Sequence, residues 1–278
     1  MKALFDKVSI QNSKVLTQTY STSFSMGIRF LARRFQNPIY AIYGFVRIAD
    51  EIVDTFHGYP KKEMLEELSQ ETFKAIERGI STNPIINSFQ EVVNIYKIDH
   101  SSIKTFLKSM EMDLDQNNYT QKGYEEYILG SAEVVGLMCL RVFTEGNNDM
   151  YESLKPSAMR LGSAFQKINF LRDFKADKEG LGRIYFPQLQ YKKFDDATKR
   201  EIEADIFQDF EFGFEGIKKL PRDARFGVYV AYIYYSRLLN KIMQMPSEAI
   251  LEDRIRISDN QKYALFFGSY LRHSLNLL

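Results

Sequence analysis

The sequence predicts an all-α fold. Long segments carry apolar residues at spacings of three and four, strand-like alternation is nearly absent, and the seven prolines fall mostly between those segments. Helices are expected at Asn12–Arg34, Pro38–His57, Lys61–Arg78, Asn83–Tyr96, Ser101–Asn117, Lys122–Phe143, Pro156–Lys178, Ala197–Lys219, Arg222–Met245 and Ser258–Asn276. Asn37 before Pro38 reads as a cap followed by proline at the first helical position, and Pro156 opens a later helix in the same way. Gly180 and Gly182 are expected to close that later helix. No repeat at a solenoid period and no low-complexity linker divides the chain, so residues 1–278 are expected to form one domain.

Composition narrows the functional classes. Hydrophobic residues at 45% and charged residues at 26% fit a globular chain and exclude a disordered or fibrous one. A formal charge of +1, with Lys and Arg scattered, lacks the basic footprint of a nucleic-acid binder. The single cysteine, Cys139, excludes an intrachain disulfide and any multi-cysteine metal site. The N-terminal MKALFDKVSIQNSK lacks a charged-then-apolar signal pattern. No apolar run is expected to approach the ~20 residues that span a bilayer. The expected location is cytoplasmic, with any membrane contact peripheral. Phe and Tyr are abundant, at 22 and 17, and most are expected in the core.

Two carboxylate pairs carry the chemistry. In YAIYGFVRIADEIVD, Asp50 and Asp54 are four residues apart and differ by only ~40° around a helix axis. Tyr43 and Arg47 fall on the same stripe, within a segment otherwise apolar at Ile42, Phe45, Val46, Ile48, Ile52 and Val53. In LGSAFQKINFLRDFKAD, the residues Gly162, Gln166, Asn169, Asp173 and Asp177 form one polar column with Arg172 at its edge. Apolar residues on the other faces of that helix predict burial around a wet, charged cavity.

A D-x-x-x-D spacing alone is weak. A third pair, Asp205 and Asp209, flanks the apolar stripe Ile202, Ile206 and Phe210 without an amide or arginine in its column, and reads as a solvated helix face. For the first two pairs, two readings stand from spacing: an ion-pair network such as Asp50–Arg47 and Asp173–Arg172, or a magnesium site. Mg²⁺ takes hard oxygen ligands and is typically held by one or two carboxylates plus substrate phosphates. His57, His100 and His273 lie far apart in sequence and support neither a nucleophile triad nor a histidine metal site. Opposed carboxylates could also serve glycoside hydrolysis, but doubled pairs on helices with no Trp sugar platform speak against it. No Gly-rich nucleotide loop occurs.

These motifs together, with YSTSFSMGIRFL before them, YILGSAEVVG between them, GRIYFP after the second pair and LPRDARFGVYVAYIYYSRLLNKI near the end, resemble the squalene/phytoene synthase family, bacterial phytoene synthases above all. The resemblance implies a single isoprenoid-synthase helical bundle with a central substrate tunnel. It implies Mg²⁺, with Mn²⁺ as a substitute, held by Asp50, Asp54, Asn169, Asp173 and Asp177, with Gln166 in support. Arg47, Arg172 and Arg183 would neutralise phosphate oxygens, which suits the two-pronged guanidinium. Tyr185 would act with the four aspartates, and Ser23 would offer a nearby hydrogen bond. Phe24, Tyr43, Tyr127 and Tyr235 match tunnel positions where ring faces stabilise cationic carbon, and Gly130, Ala132, Gly136 and Gly162 would leave room for isoprenoid tails.

The implied reaction joins two geranylgeranyl diphosphates through a cyclopropylcarbinyl diphosphate to phytoene, the first committed carotenoid step, with no NADPH. The resemblance also admits peripheral contact with the inner membrane and handover of product to a carotenoid desaturase. A shorter-substrate alternative joins two farnesyl diphosphates to squalene or dehydrosqualene. An alternative of another class is a non-catalytic helical assembly factor, for which an intact ligand set would be unnecessary. Two departures stand out: Glu51 beside Asp50, where many relatives have a further aspartate, and Glu133, where glycine is common and where tunnel shape or polarity would change.

Overall fold

The computed structural model describes residues 1–115, 118–252 and 254–258. The regular structure of the described residues is helical, with no strand beyond one isolated bridge, Asn118 to Ile184. The helices are α1 Lys2–Tyr20, α2 Thr22–Arg29, α3 Arg33–Asp54, α4 Lys61–Arg78, α5 Pro84–Tyr96, α6 His100–Asp115, α7 Gln121–Ile128, α8 Val134–Thr144, α9 Asn148–Ala176, α10 Asp196–Lys219, α11 Arg222–Met243 and α12 Ser247–Ile250. The all-α expectation holds, as do the positions of α4, α5, α6, α10 and α11. The helix expected at Ser258–Asn276 lies outside the described residues, apart from Ser258 itself.

Several expected boundaries move for local reasons. The helix expected at Asn12–Arg34 begins earlier and breaks at Ser21, whose backbone is extended at φ −141°, ψ 101°. The Ser21 hydroxyl accepts from Phe24 N at 3.2 Å, capping α2. Asn37 is not a cap, because the chain is already helical from Arg33 and Pro38 lies inside α3. Pro156 likewise lies inside α9, which starts eight residues upstream under the Asn147 cap, whose Oδ1 accepts from Met150 N at 2.9 Å. Gly182, at φ +68°, does end the second acidic segment, but a π turn over Asp177–Leu181 intervenes and contains Gly180.

The core has two large parts. One surrounds Phe35, Phe45, Phe89 and Phe106 on α3, α5 and α6, where Phe45 stacks on Phe89 at 4.0 Å. The other surrounds Tyr127, Phe170, Tyr185 and Tyr235 on α7, α9, α11 and the segment after α9. Stretch 121–144 is long and apolar enough to cross a membrane, with mean hydropathy 1.4, contrary to the expectation that no run is. It is a helical hairpin partner of α6 and α9 within this fold, just over half of it is buried inside the protein, and a π turn over Leu129–Glu133 interrupts it.

Candidate active site

Helix α3, and α9 with the π turn that continues it, carry the two acidic stripes to the same cavity, which has a volume of about 960 Å³. Asp50, Asp54, Asp173 and Asp177 all line it, together with Arg47 and Arg172. Away from these charges the wall is apolar, including Ile28, Leu31, Val135, Leu140, Phe143 and Leu154. Of the residues singled out from sequence, Ser23, Phe24, Tyr43, Tyr127, Gln166, Asn169, Tyr185 and Tyr235 also line it. Arg183 does not belong to that lining and stands behind it, buried, at 5% exposure.

The charges are arranged in pairs. Arg47 Nη1 donates to Asp50 Oδ2 at 2.6 Å, its Nη2 pairs with the buried Glu51, and its guanidinium lies 4.3 Å over the Tyr20 ring. Arg172 donates to Asp173 from Nε at 3.0 Å and from Nη2 at 2.5 Å. Arg254 adds a second cation, with Nε 2.6 Å from Asp173 Oδ1. The strap carrying it is fixed by Ile255 N donating to Arg172 O at 3.3 Å and by burial of Ile255 and Ile257. Tyr235 OH donates to Asn169 Oδ1 at 3.1 Å, and the Tyr235 ring stacks on Phe165 at 4.1 Å. Phe24 and Tyr43 face each other at 5.4 Å.

Four carboxylates in one mouth repel each other. Burial, reinforced by Asp54, pushes the Asp50 carboxyl up to about 7. Burial, then Asp173 and Asp54, does the same to Asp177, also to about 7. Burial raises Tyr185 above the usual phenol range, with Asp113 adding to it. Among the described residues no three carboxylate, imidazole or thiol side chains converge into a cage for a metal ion. The donor set is nevertheless all oxygen, which fits a hard divalent cation that completes its shell with water and phosphate.

Behind Asp54 lies a cluster of which sequence reasoning named Arg183 and Tyr127 but missed Asp113 and Tyr119. Arg183 Nη1 donates to Asp54 Oδ1 at 2.6 Å, and Nη2 donates to the backbone oxygen of Asp113 at 2.8 Å. Asp113 accepts from Tyr119 OH at 2.8 Å and from Tyr127 OH at 2.7 Å. The signal for Asp113 was its place on the buried stripe Ile103, Phe106, Met110, where a carboxylate demands partners. Arg254 gave no signal, since it lies outside any helix.

Other expectations are corrected. Asp209 is not on a solvated face: it is 2% exposed and accepts from Arg160 at 2.7 Å, Ser163 at 3.0 Å and Lys167 at 2.7 Å. Glu133 does not line the cavity; its charged neighbours are Asp209, Arg160 and Lys167. Gly130 makes no room for a tail, because Ser109 Cβ and Thr105 O occupy the space its side chain would take. Gly136 and Gly162 line the cavity but also abut the backbone of Ala158 and Ala132.

An all-α fold with two acidic helices facing a deep apolar cavity is the architecture of isoprenoid synthases, and a solved dehydrosqualene synthase superposes with a TM-score of 0.82 at 23% identity, covering 96% of this chain and 98% of that one. The squalene/phytoene synthase profile matches residues 17–261, and the chain belongs to that family. Its relatives include a 4,4'-diapophytoene synthase of Staphylococcus haemolyticus, 28% identical over 70% of this chain and 67% of that protein. A phytoene synthase of Arthrospira platensis is 27% identical over 84% of each chain.

Proposed function

We propose that this protein condenses two geranylgeranyl diphosphates head to head, giving phytoene through a cyclopropylcarbinyl diphosphate. The observation that carries the reading is the pairing of opposed carboxylates, Asp50 and Asp54 against Asp173 and Asp177, at the charged end of a cavity whose remaining wall is apolar. Charged diphosphates and long hydrocarbon tails need those two environments in one space.

Mg²⁺ fits the four aspartates and Asn169, and when bound would neutralise a diphosphate leaving group. Arg47 and Arg172 present guanidinium groups at the same mouth and bind phosphate oxygens once these compete with Asp50 and Asp173. The carbon–oxygen bond of one substrate breaks to leave an allylic cation. The double bond of the second attacks it, and a proton is lost as the cyclopropane closes. The second ionisation, rearrangement and proton loss give the triene core. Throughout, the apolar wall excludes water, and the faces of Phe24, Tyr43, Phe165 and Tyr235 lie along the path of positive charge.

A second reading replaces both substrates by farnesyl diphosphate, favoured by the similarity to the Staphylococcus haemolyticus protein. Purified protein with Mg²⁺ is incubated with geranylgeranyl diphosphate, and separately with farnesyl diphosphate with and without NADPH, and the extracted hydrocarbon is analysed by mass. A forty-carbon product from the first mixture alone supports phytoene synthesis. A thirty-carbon product moves the assignment to the second reading, and no product from any mixture makes this a non-catalytic helical protein.

A further inference from the structure

Asp113 is the most heavily engaged carboxylate behind the cavity wall, and the reaction as derived does not use it. Its side chain is 3% exposed. Both oxygens are occupied, Oδ1 by Tyr119 OH at 2.8 Å and Oδ2 by Tyr127 OH at 2.7 Å. Arg183 Nη1 lies 3.7 Å from Oδ2, too far for a hydrogen bond but close enough for charge to matter. The same guanidinium binds the Asp113 carbonyl through Nη2 and reaches Asp54 through Nη1.

The surroundings hold this arrangement from several elements. Gly130 lets the π turn after α7 press against Ser109 and Thr105 of α6, one helical turn away from the Asp113–Tyr127 contact. Tyr185 is sandwiched among Phe170 at 4.0 Å, Tyr127 at 5.1 Å and Tyr119 at 5.5 Å. Arg183 N donates to Asp177 O at 2.9 Å, so its backbone is tied to the second acidic segment while its guanidinium is tied to the first. Arg183 therefore bridges the two acidic walls, and a buried cation in that role needs a buried counter-charge.

We infer that Asp113 is a positioning residue, which holds Arg183 in place and through it orients Asp54 toward the opposite acidic pair. The inference rests on the diphosphate-binding reading of the site but not on tail length or product. Tyr119 and Tyr127 act as its braces: by filling both carboxylate oxygens they keep Asp113 from swinging to Arg183 directly, leaving Nη1 free for Asp54.

The test uses the full chain and inorganic pyrophosphate with saturating Mg²⁺ as the calorimetric probe, in wild type, Asp113→Asn, Arg183→Gln and the double variant, with thermal unfolding as a check of folding. Asp113→Asn is expected to weaken pyrophosphate binding by roughly tenfold, the scale on which groups behind a metal ligand act. The double variant should bind no worse than Arg183→Gln alone, because Asp113 acts through Arg183. Unchanged binding in Asp113→Asn, or losses that simply add in the double variant, would overturn the inference. Should Asp113→Asn fail to fold, Tyr119→Phe takes its place in the same cycle, with a smaller weakening that again must vanish beside Arg183→Gln. Wild type that ignores pyrophosphate with Mg²⁺ would instead sink the proposed function itself.

Discussion

Lys167 Nζ lies 2.7 Å from Asp209 Oδ2, with 8% of the lysine and 2% of the aspartate side chain exposed. The pair joins α9 to α10 from the side of α9 away from the acidic column. Such pairs add little over a well-packed apolar contact, but breaking one strands a charge. Asp209 also serves Arg160 and Ser163, so it is the hub of the cluster.

Asp209→Ala is therefore expected to destabilise the protein by about 3–5 kcal/mol. Lys167→Met combined with Asp209→Leu should cost far less than Asp209→Ala alone. Urea denaturation of the three proteins checks this. If the single substitution lost under about 1 kcal/mol, the exposed Asp205, 2.5 Å from Lys167, would be a sufficient partner by itself.

The two acidic pairs should separate function from stability. Asp50→Asn and Asp173→Asn are each expected to cut turnover by about 100-fold or more, since on the proposed function each removes a carboxylate that would hold the cation neutralising the diphosphate. Their stabilities should differ in sign. Asp50 is a carboxylate held up near 7 by burial and Asp54, so neutralising it relieves repulsion and the melting temperature should stay level or rise. Asp173 is paired with both Arg172 and Arg254, so its amide variant should melt lower. Product assay and thermal unfolding on the same preparations read both, and near-full activity in either variant would remove the proposed Mg²⁺ site at these aspartates.

Glu133 supplies a pH dependence. Burial first, then the Asp209 charge, raises its carboxyl from 4.5 to about 7, against opposing pulls from Arg160 and Lys167. A raised folded-state value means the native protein holds this proton more tightly than the unfolded chain. Its share of stability is therefore fully present below pH 4.5 and drains away as pH rises to about 7. Glu133→Gln lacks that loss. The variant should match wild type near pH 4.5 and exceed it by about 1–2 kcal/mol at pH 8, a figure reduced for the partial solvent access of the site. Denaturation midpoints across that range would show a flat difference if Glu133 were freely hydrated.

The acidic stripes were legible because helical periodicity needs no tertiary knowledge: Asp50 and Asp54, then Asn169, Asp173 and Asp177, share faces by arithmetic alone, and they line the cavity. Local capping was less so. Ser21 breaks the first expected helix because its hydroxyl competes for the backbone, a choice that apolar spacing on either side does not register. Pro38 and Pro156 misled because proline within a helix was read only as a beginning. Asp209 and Arg254 depend on partners 42 and 81 residues away in sequence, and nothing local marks the one as buried or the other as facing Asp173.

Gly130 tests how tightly the crossing beneath the site is fitted. A Cβ at this position would sit 2.5 Å from Ser109 Cβ and 2.7 Å from Thr105 O, both well inside contact distance. The carbonyl belongs to the α6 backbone and cannot rotate aside, so Gly130→Ala must push the π turn away from α6. The expected cost is about 1–3 kcal/mol. Gly180→Ala is the control, because a Cβ there meets nothing within 4 Å. Moving the π turn also draws Tyr127 from Asp113, one turn along, so Gly130→Ala should weaken Mg²⁺-dependent pyrophosphate binding as well as stability. Adding Ser109→Gly removes the side-chain clash but leaves Thr105 O, so it should restore both properties only in part. Full tolerance of Gly130→Ala in thermal unfolding and calorimetry would mean that the π turn moves freely against α6, and that the Asp113 cluster is not held by this crossing.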